Sequence, residues 1–557
     1  MKIAFLTHQF PGVRGGGIGT YVLQAARALA AAGHEPLIFT PTLPGDSAKI
    51  RAELATARVQ LVEVPDLAAC VGTLPAPLAA AVESGGEAVY RVALGWLLCE
   101  AAREHHLRHR LDIVEAAEYE SLGLPLMIRP EPGLPVVTHL HLCSAIARAG
   151  NLFAETAPTP EDDKIDAMER EAIRLADGIC APTRYIVQKT ERYLGIAASA
   201  TVIPYPMKLA GRATPLPERG PVLFAGRLEP RKGSALMPGA FNEFLSRNPD
   251  ATIRLVGSDT QFPGKTGRAE SVRATITQAL RPELRDRVIF TGDQSPEQVR
   301  EEFSRCRFSI VPSLFDNFPN SAAESLAAGR PVIAGDSTGT VEVVGDAGLT
   351  FSRGDAGAFA AAMERLWRDR DLCRQLAEKA VARTATLFSI ENTVTARVDF
   401  YRQVAENAAG NQVRSSRLSV SEAALVEHLR AITRGNSTTT AGTPGTRLLA
   451  LMEKIDPRGA CVHLYGAGRH TSRLMAQRDV WESRGHKVVG LIDDHPRFQS
   501  SPIHLGLPVQ SVQAAVATMN ADAVVVLSTD TFEDQFWEQT AALRAKGVQV
   551  HRLYGKN

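Results

Sequence analysis

The sequence predicts an α/β protein in which parallel sheets are wrapped by helices, and three observations lead to that prediction. The chain has 557 residues, which is too long for one core, since a domain usually holds roughly 100 to 200 residues. Short apolar runs alternate with longer helical patterns almost throughout. A stretch rich in Ser, Thr, Gly and Pro, TRGNSTTTAGTPGT (433–446), reads as a flexible linker before the last α/β region.

The predicted strands form three groups along the chain. The second group supports buried parallel strands, because four of its five members end in a glycine that permits a tight turn. We predict domains at 1–208 and 209–410, a helical segment with a linker at 411–446, and a third, smaller α/β domain at 447–557. The strands are expected at 2–6, 36–40, 112–116, 135–139 and 178–182; at 221–226, 252–257, 287–292, 307–313 and 330–335; and at 460–468, 486–494, 521–528 and 547–555.

Composition excludes several classes of protein. The 62 Lys and Arg residues balance 61 Asp and Glu residues without a dense basic run, so nothing points to nucleic acid as a partner. The seven cysteines are scattered and odd in number, which disfavours a disulfide framework or a zinc site. The N-terminus lacks the pattern of a signal peptide, and no segment approaches roughly 18 apolar residues. We expect a cytoplasmic protein with no transmembrane segment, while a peripheral membrane contact stays open.

Open parallel sheets bind ligands beyond the carboxyl ends of their strands, and the first candidate there is a glycine-rich loop. PGVRGGGIGTYV (11–22) follows the first strand and precedes an apolar-periodic helix. Gly16 and Gly17 allow backbone N–H groups to approach a phosphate at the helix N-terminus. A flexible turn explains the same glycines equally well.

The second candidate is GRLEPRKG (226–233), which directly follows a predicted strand. Arg227 and Lys232 could neutralise a diphosphate there, although a solvated basic turn is the plainer interpretation. The third candidate is His141, at the end of a strand that also carries His139. Because side chains alternate along a strand, we expect one histidine to point into the crevice and the other away, unless the strand continues.

The fourth candidate is FDNFPNSAAESLAAGRPVI (315–333). Local rules alone account for Glu324, because Ser321 and Glu324 have the spacing of a capping box and Gly329 is a usual helix stop.

Five patterns occur in this order: GGIGTYV, VVTHLH, EREAIRLAD (169–177), GRLEPRKG, and an acid-x7-acid motif from Asp316 to Glu324. Together they resemble the retaining GT-B glycosyltransferases of the nucleotide-sugar-dependent family four, or glycosyl transferases group 1, over about the first 400 residues. The resemblance implies two Rossmann-like domains facing across a cleft. The acceptor would lie on the N-terminal side and the donor on the C-terminal side, whose last helix packs back on the first domain.

The resemblance also implies roles for individual residues. Glu324 would hold the ribose hydroxyls, Arg227 and Lys232 the diphosphate, and His141 would lie by the transferred sugar. Asp316 is one methylene shorter than the usual Glu, which leaves the donor sugar open. The implied catalytic residues are His141, Arg227, Lys232 and Asp316, and the implied donor-binding residues are Gly16, Gly17, Phe318, Asn320, Ser321 and Glu324.

The expected function is therefore a retaining glycosyltransferase of the hexosyltransferase type, acting in surface polysaccharide or glycoconjugate synthesis. Its partners would be a UDP- or GDP-sugar and a glycan or lipid-linked acceptor, with no metal and no cofactor beyond the donor. The fold lacks the carboxylate pair of retaining glycosidases, so we expect front-face attack with the leaving phosphate taking the acceptor proton. The alternatives are a non-catalytic sugar-nucleotide-binding regulator or scaffold, and a GT-B epimerase or phosphorylase.

The third domain carries a partial dinucleotide fingerprint. HLYGAGRHTSRLM (463–475) supplies Gly466 and Gly468, and Asp493 follows the next strand, but Thr471 stands where Gly or Ala belongs. We favour a structural or ligand-sensing module over a second enzyme. It resembles accessory modules appended to some bacterial sugar-modifying and methyl-transferring enzymes.

Overall fold

The computed structural model divides the chain into two compact units, the first formed by residues 1–153, 168–188 and 198–433 and the second by 154–167, 189–197 and 434–557. All seven cysteines are free, and six of them are buried. Among the described residues, every helix falls short of the length and apolar character needed to cross a bilayer. The structure describes residues 1–10, 16–44, 47–150, 159–207, 215–263, 269–336, 338–434, 444–457, 459–466, 471, 474–475, 478–494, 503–528 and 533–553.

The N-terminal part of the chain builds a seven-stranded sheet in which every neighbouring pair is parallel. Its strands are β1 (Lys2–Leu6), β2 (Glu35–Pro41), β3 (Gln60–Val64), β4 (Ile113–Ala117), β5 (Val136–His139), β6 (Gly178–Ala181) and β7 (Thr201–Val202), in the order β3-β2-β1-β4-β5-β6-β7. The helices between them are α1 (Gly17–Ala31), α2 (Ala48–Thr56), α3 (Leu67–Cys70), α4 (Ala76–Ser84), α5 (Glu87–His109), α6 (Leu124–Ile128), α7 (Ser144–Gly150), α8 (Pro160–Leu175) and α9 (Arg184–Leu194).

A second, six-stranded parallel sheet follows, with a short antiparallel hairpin beside it. The strands are β8 (Val222–Ala225), β9 (Ile253–Val256), the hairpin β10 (Gln261–Pro263) and β11 (Ala269–Ser271), β12 (Val288–Gly292), β13 (Phe308–Val311), β14 (Val332–Gly335) and β15 (Gly348–Phe351), in the sheet order β12-β9-β8-β13-β14-β15. The helices are α10 (Met237–Arg247), α11 (Val272–Ala279), α12 (Pro296–Arg305), α13 (Asn320–Ala327), α14 (Gly339–Val344), α15 (Ala356–Arg368) and α16 (Arg370–Arg383).

Helix α17 (Ile390–Gly410) leaves the second sheet and packs on the first through a buried ion pair. Arg397 donates to Glu115 on β4 at 2.9 Å, and both side chains are 2% exposed. Glu115 also accepts the hydroxyl groups of Tyr21 at 2.6 Å and Tyr401 at 2.5 Å. Burial alone would raise the pKa of Glu115, but the charge of Arg397 and the hydrogen bonds outweigh it and hold that pKa far below its usual range.

The remaining helices of the first unit are α18 (Gln412–Arg417) and α19 (Glu422–Arg434). The predicted linker is wrong at both ends, because Thr433 and Arg434 lie in α19 and residues 444–446 lie in the next helix, α20 (Pro444–Ile455). Proline is well tolerated in the first turn of a helix, which explains how this polar stretch starts one. The four domain boundaries stay predictions.

The second unit contains a third sheet, which is parallel apart from one edge pair. Its strands are β16 (Cys461–Tyr465), β17 (Lys487–Ile492), β18 (Ile503–His504), β19 (Leu507–Gln510), β20 (Val524–Leu527) and β21 (Gln549–Arg552), in the order β18-β19-β17-β16-β20-β21. The helices are α20, α21 (Asp479–Glu482), α22 (Val512–Thr518), α23 (Glu533–Gln539) and α24 (Ala541–Ala545). The predicted α/β fold with three sheets is confirmed.

Removing one partner of the buried pair should be more harmful than removing both. We expect Arg397→Met to lower the free energy of unfolding of the first unit by about 3 to 5 kcal/mol, because it leaves the carboxylate of Glu115 buried without its cation. The double variant Arg397→Met/Glu115→Gln should recover part of that loss. Chemical denaturation of the wild type, of Arg397→Met and Glu115→Gln, and of the double variant checks this. A double variant that loses the full sum of the two single losses would show that the ion pair contributes no coupling.

Candidate active site

The turn after β8 lies directly against the chain that leaves β13. Gly233 has a φ of 81°, and a Cβ at this position would come within 2.0 Å of the Pro312 carbonyl oxygen. The backbone N–H of Leu314 donates to the Arg231 carbonyl at 2.8 Å. Only glycine fits such a close approach, and the approach brings the cations of the turn to the acid that follows β13.

Asp316 is the acid at that point, and it is buried among cations. Its carboxylate pairs with Lys232, lies 3.9 Å from Arg231, and accepts the Ser313 hydroxyl at 3.3 Å. Burial pushes the pKa of Asp316 upward, but the charges of Lys232 and Arg231 outweigh burial and lower it below its ordinary value. Two of the predicted catalytic residues, Lys232 and Asp316, are thus in direct contact.

Arg227 does not join this contact. Its side chain is 62% exposed and its guanidinium lies 3.7 Å from Glu229. Arg231, which we did not predict, donates to the Phe315 carbonyl at 3.2 Å and to Glu229 at 2.5 Å. Spacing could not separate the two arginines, because the turn geometry decides which of them faces Asp316.

The side chain of Asn317 connects the segment after β13 to the first sheet. Its side-chain amide donates to the His141 carbonyl at 2.8 Å, and its amide oxygen accepts the Thr183 hydroxyl at 2.6 Å. The backbone of Gly339 donates to the Asp316 carbonyl at 2.9 Å, and a Cβ on Gly339 would come within 1.7 Å of the Asn317 carbonyl oxygen. The carboxyl ends of β5 and β13 therefore face each other.

A second contact joins the two sheets beside α14. The carboxylate of Glu342 accepts the backbone N–H groups of Arg184 at 2.8 Å and Tyr185 at 2.6 Å, at the start of α9. A carboxylate at a helix N-terminus satisfies free donors and complements the helix dipole. A groove of about 600 Å³ lies alongside, lined in part by Tyr185, Thr338 and Arg383.

His141 is held on several sides. Its backbone N–H donates to both carboxylate oxygens of Glu118 at 2.8 Å, and its Nδ1 lies 2.5 Å from the Tyr205 hydroxyl. Burial, with a smaller effect of His139, places the pKa of His141 well below its ordinary value. Burial also raises the pKa of Glu118 to about 7.

The expectation that His139 and His141 point in opposite directions is wrong. The two rings stack with their centroids 4.2 Å apart and 22° between their planes, and both residues are buried. The backbone N–H of Leu140 bonds to the Cys180 carbonyl at 2.8 Å, so the strand pairing continues beyond His139. Residues two apart on a continuing strand share a face.

The capping box between Ser321 and Glu324 is also wrong. Helix α13 begins at Asn320 with Pro319 as its N-cap, and no side chain caps it. Ser321 is therefore inside the first turn, and Glu324 lies beyond the position that a capping box requires. Gly329, with a φ of 73°, follows the helix as predicted.

Asn320 and Glu324 are one helical turn apart, so they share one face of α13. The Asn320 amide oxygen is buried and has no hydrogen-bond partner among the described residues. The structure likewise records no side-chain partner for Glu324 in the described part of the chain. Burial raises the pKa of Glu324 to about 7, against a small opposing effect of Arg300. Both groups are available to a ligand.

Phe318 is 6% exposed and packs in an aromatic cluster. Its ring centroid lies 4.6 Å from that of Tyr205 and 5.7 Å from that of Phe388. This packing gives Phe318 a supporting position behind His141. A direct contact with the donor, which we predicted, would have to come from the small part of the ring that is exposed.

At the carboxyl end of β1, Gly16 is the N-cap of α1 and Gly17 its first residue, with no side-chain cap. A Cβ on Gly16 would overlap the Gln9 side chain at 1.8 Å, whereas Gly17 faces open space. The rest of the predicted loop, residues 11–15, lies outside the described residues. No side chain among the described residues caps this helix start, so its backbone N–H groups could meet a phosphate.

Three further predicted ligand residues, Gly466, Gly468 and Asp493, belong to the region of the third sheet. Gly466 has a φ of 96°, and a Cβ there would come within 2.7 Å of the Phe536 ring. Thr471, which stands where the fingerprint would have glycine or alanine, donates its hydroxyl to the Gly466 carbonyl. Asp493 follows β17, and Gly468 lies outside the described residues.

Among the described residues, Glu115, His139 and Cys180 could place three ligand atoms within 4.8 Å of one another. Arg397 already neutralises Glu115 at 2.9 Å, and a second cation at that carboxylate would be repelled. We therefore assign no metal site to this cluster.

The comparisons with known proteins agree with this geometry. The family model for the glycosyl transferase 4-like domain matches residues 16–206, and the model for glycosyl transferases group 1 matches residues 219–369. D-inositol 3-phosphate glycosyltransferases are similar: that of Acidothermus cellulolyticus is 29% identical over 406 residues, covering 70% of this chain and 85% of that protein. That of Rhodococcus jostii is 27% identical over 409 residues, with the same coverage.

Solved structures show the same fold. A sucrose-phosphate synthase from Thermosynechococcus elongatus has a TM-score of 0.54 at 20% identity and covers 72% of this chain and 98% of its own. Anabaena HepE, in complex with UDP and glucose, has a TM-score of 0.51 at 18% identity and covers 74% of this chain and all of its own. Two facing parallel sheets with these structural neighbours define the GT-B fold. Over residues 16–206 and 219–369 the chain is similar to the glycosyl transferase 4-like and group 1 families, which supports a glycosyltransferase.

The raised pKa of Glu324 predicts a stability that falls with rising pH. The folded protein binds this proton more tightly than the unfolded chain does between about pH 4.5 and about pH 7, so the destabilisation appears across that range and is complete above it. We expect Glu324→Gln to raise the free energy of unfolding by about 1 to 2 kcal/mol at pH 8, because water screens the exposed part of the side chain.

Thermal unfolding at pH 5 and pH 8 checks this prediction, and the stabilisation should shrink at pH 5. Glu301→Gln, which changes an exposed glutamate of α12 that pairs with Arg305, is the matched control and should leave the pH dependence unchanged. A Glu324→Gln variant that is less stable than the wild type at pH 8 would contradict the assignment.

Proposed function

We propose that the protein is a retaining glycosyltransferase that moves a sugar from a nucleoside diphosphate sugar to a glycan or other acceptor. The observation that carries the proposal is the face of α13. There the Asn320 amide oxygen and the Glu324 carboxylate, one turn apart, have no hydrogen-bond partner within the part of the chain that the structure describes. A partly buried carboxylate left free costs stability, so its presence at the carboxyl end of β13 is best explained by a ligand. Vicinal ribose hydroxyls suit a carboxylate acceptor.

The neighbouring turn supports a diphosphate at the same place. Lys232 and Arg231 are held in place by Asp316 and Glu229, so the two cations are positioned before any phosphate arrives, with their charges balanced by the two carboxylates. Preorganised charge is most valuable where negative charge grows, which in this reaction is the departing diphosphate. We propose that Lys232 stabilises the negative charge of the departing diphosphate, and that Arg227 binds the phosphates from its exposed position. No metal or further cofactor is required in this proposal.

In the proposed reaction, the bond between the anomeric carbon and the diphosphate oxygen breaks as an oxocarbenium-like centre forms. The acceptor oxygen attacks the same face of the sugar, and its proton passes to the leaving phosphate oxygen. His141 would lie by the transferred sugar, held through its backbone by Glu118 and Asn317. The configuration of the anomeric carbon is thereby retained.

The donor is proposed to be a UDP- or GDP-sugar. Anabaena HepE, whose structure holds UDP and glucose, supports a nucleotide-sugar donor, and the D-inositol 3-phosphate glycosyltransferases support glycosyl transfer. A small phosphorylated polyol is a second proposed class of acceptor beside a glycan, since the matched relatives are named for D-inositol 3-phosphate. A role in surface polysaccharide or glycoconjugate synthesis remains part of the proposal.

Replacing Lys232 should affect turnover more than binding. We expect Lys232→Ala to lower kcat for acceptor-independent donor hydrolysis by about 100-fold, because leaving-group charge grows in the transition state, and to weaken donor binding much less. Release of nucleoside diphosphate from a panel of sugar nucleotides measures this.

Lys379→Ala is the matched control, because Lys379 also pairs with a carboxylate, Asp346 at 3.2 Å, but on an exposed surface. Unchanged kcat in Lys232→Ala would refute the proposed role. Binding of a sugar nucleotide by the wild type with no turnover of any donor would favour the regulatory alternative, and an epimerised sugar nucleotide as product would favour an epimerase.

A further inference from the structure

Tyr205 is bonded to the ring of the histidine that the proposed function places by the transferred sugar. Its hydroxyl lies 2.5 Å from His141 Nδ1, while Nε2 of the same ring has no partner among the described residues. We propose that Tyr205 is a positioning residue that fixes the tautomer of His141, with the Tyr205 O–H donating to Nδ1 and the ring proton held on Nε2. This inference rests on the proposed function for its catalytic consequence, though not for the tautomer itself.

The direction of the hydrogen bond follows from what else surrounds the hydroxyl. Tyr205 is 5% exposed, and the rings of Tyr21, His139 and Phe318 pack against it. Within the described residues, His141 Nδ1 is the one hydrogen-bond partner of the hydroxyl. If Nδ1 donated instead, the hydroxyl proton would be buried without an acceptor, which is the costlier arrangement.

The position of the hydroxyl is set by a rigid segment. Tyr205 stands between Pro204 and Pro206, and a following proline restricts the residue before it to an extended backbone. The next residue, Met207, donates its backbone N–H to the Phe388 carbonyl at 2.8 Å. Phe318 packs against both Tyr205 and Phe388 and so holds the tyrosine ring from behind.

The backbone of His141 is fixed as well, so the ring has little freedom to exchange its two nitrogens. Glu118 holds its N–H and Asn317 its carbonyl. The titratable and charged groups that face the ring come from five elements: His139 on β5, Glu118 after β4, Glu115 on β4, Tyr21 on α1 and Arg397 on α17.

A neutral imidazole has one N–H donor and one acceptor, and its neighbours decide which nitrogen is which. Burial keeps the pKa of His141 well below its ordinary value, so the ring is neutral near pH 7. With Nδ1 accepting from Tyr205, Nε2–H is a donor to a sugar hydroxyl. The opposite tautomer would present a lone pair there and could not donate.

The test is Tyr205→Phe in the full-length protein, with histidine labelled by ¹⁵N and the His141 signals assigned by their loss in His141→Asn. We expect the wild type to show a single tautomer with the proton on Nε2. In Tyr205→Phe the Nδ1 signal should shift and the ring should sample both tautomers. The kcat for donor hydrolysis should fall about tenfold, with the KM for the donor changed less than about threefold, because the lost hydrogen bond orients the ring and does not bind the donor.

Tyr401→Phe is the matched control, because it removes an equally buried hydroxyl that bonds to Glu115 at 2.5 Å and does not touch His141. Its His141 signals should match the wild type even if its stability drops. A wild type with the proton on Nδ1, or a Tyr205→Phe variant with wild-type signals and kcat, would overturn the inference. Correct tautomers in a protein that turns over no donor would instead leave the inference intact and remove the proposed function.

Discussion

The side-chain amide of Asn317 joins the two sheets of the first unit at their carboxyl ends. The amide N–H donates to the His141 carbonyl, and the amide oxygen accepts the Thr183 hydroxyl. An amide offers a donor and an acceptor in one plane, so it can satisfy both buried groups at once, which neither aspartate nor leucine could do. The position of His141 relative to the turn after β8 depends on this bond.

Three consecutive residues after β13 then have three different contacts. Asp316 holds the cations of the β8 turn, Asn317 holds the first sheet, and Phe318 packs behind Tyr205. Because adjacent residues cannot move independently by more than a fraction of an ångström in a buried segment, a change at one contact is transmitted to the others. The shorter acid at position 316 fits this arrangement, since its carboxylate already reaches Lys232.

The two acids of this region, Asp316 and Glu324, have different electrostatic environments. Asp316 is paired and its pKa is lowered, whereas Glu324, eight residues later, has no ion-pair partner among the described residues and its pKa is raised to about 7. A protein selected for stability alone would neutralise both acids in the same way. An unpaired acid close to a paired one is typical of a binding site, where stability is given up for interaction with a ligand.

The sequence predicted the strands and the fold class because hydrophobic periodicity and terminal glycines are local signals. The predicted capping box of Ser321 and Glu324 was wrong, because Pro319 takes the N-cap position and the helix starts one residue before Ser321. The sequence failed on the two histidines, because continuation of β5 depends on pairing with β6. The contact between His141 and Tyr205 joins residues 64 positions apart, and no local pattern indicates it. Arg231 was overlooked because the fold of the turn, and not its spacing, selects which arginine faces Asp316.

Binding of a nucleotide ribose by the face of α13 that carries Asn320 and Glu324 is tested most directly by titration calorimetry. UDP, GDP and ADP are titrated into the full-length protein, and the one that binds is compared with its 2′-deoxy analogue. We expect the wild type to prefer the ribonucleotide by about tenfold or more, because the analogue offers Glu324 only the 3′-hydroxyl in place of two vicinal hydroxyls. We expect Glu324→Gln to lose most of this preference. Failure of all three nucleotides to bind, or a Glu324→Gln variant with the full preference, would contradict it.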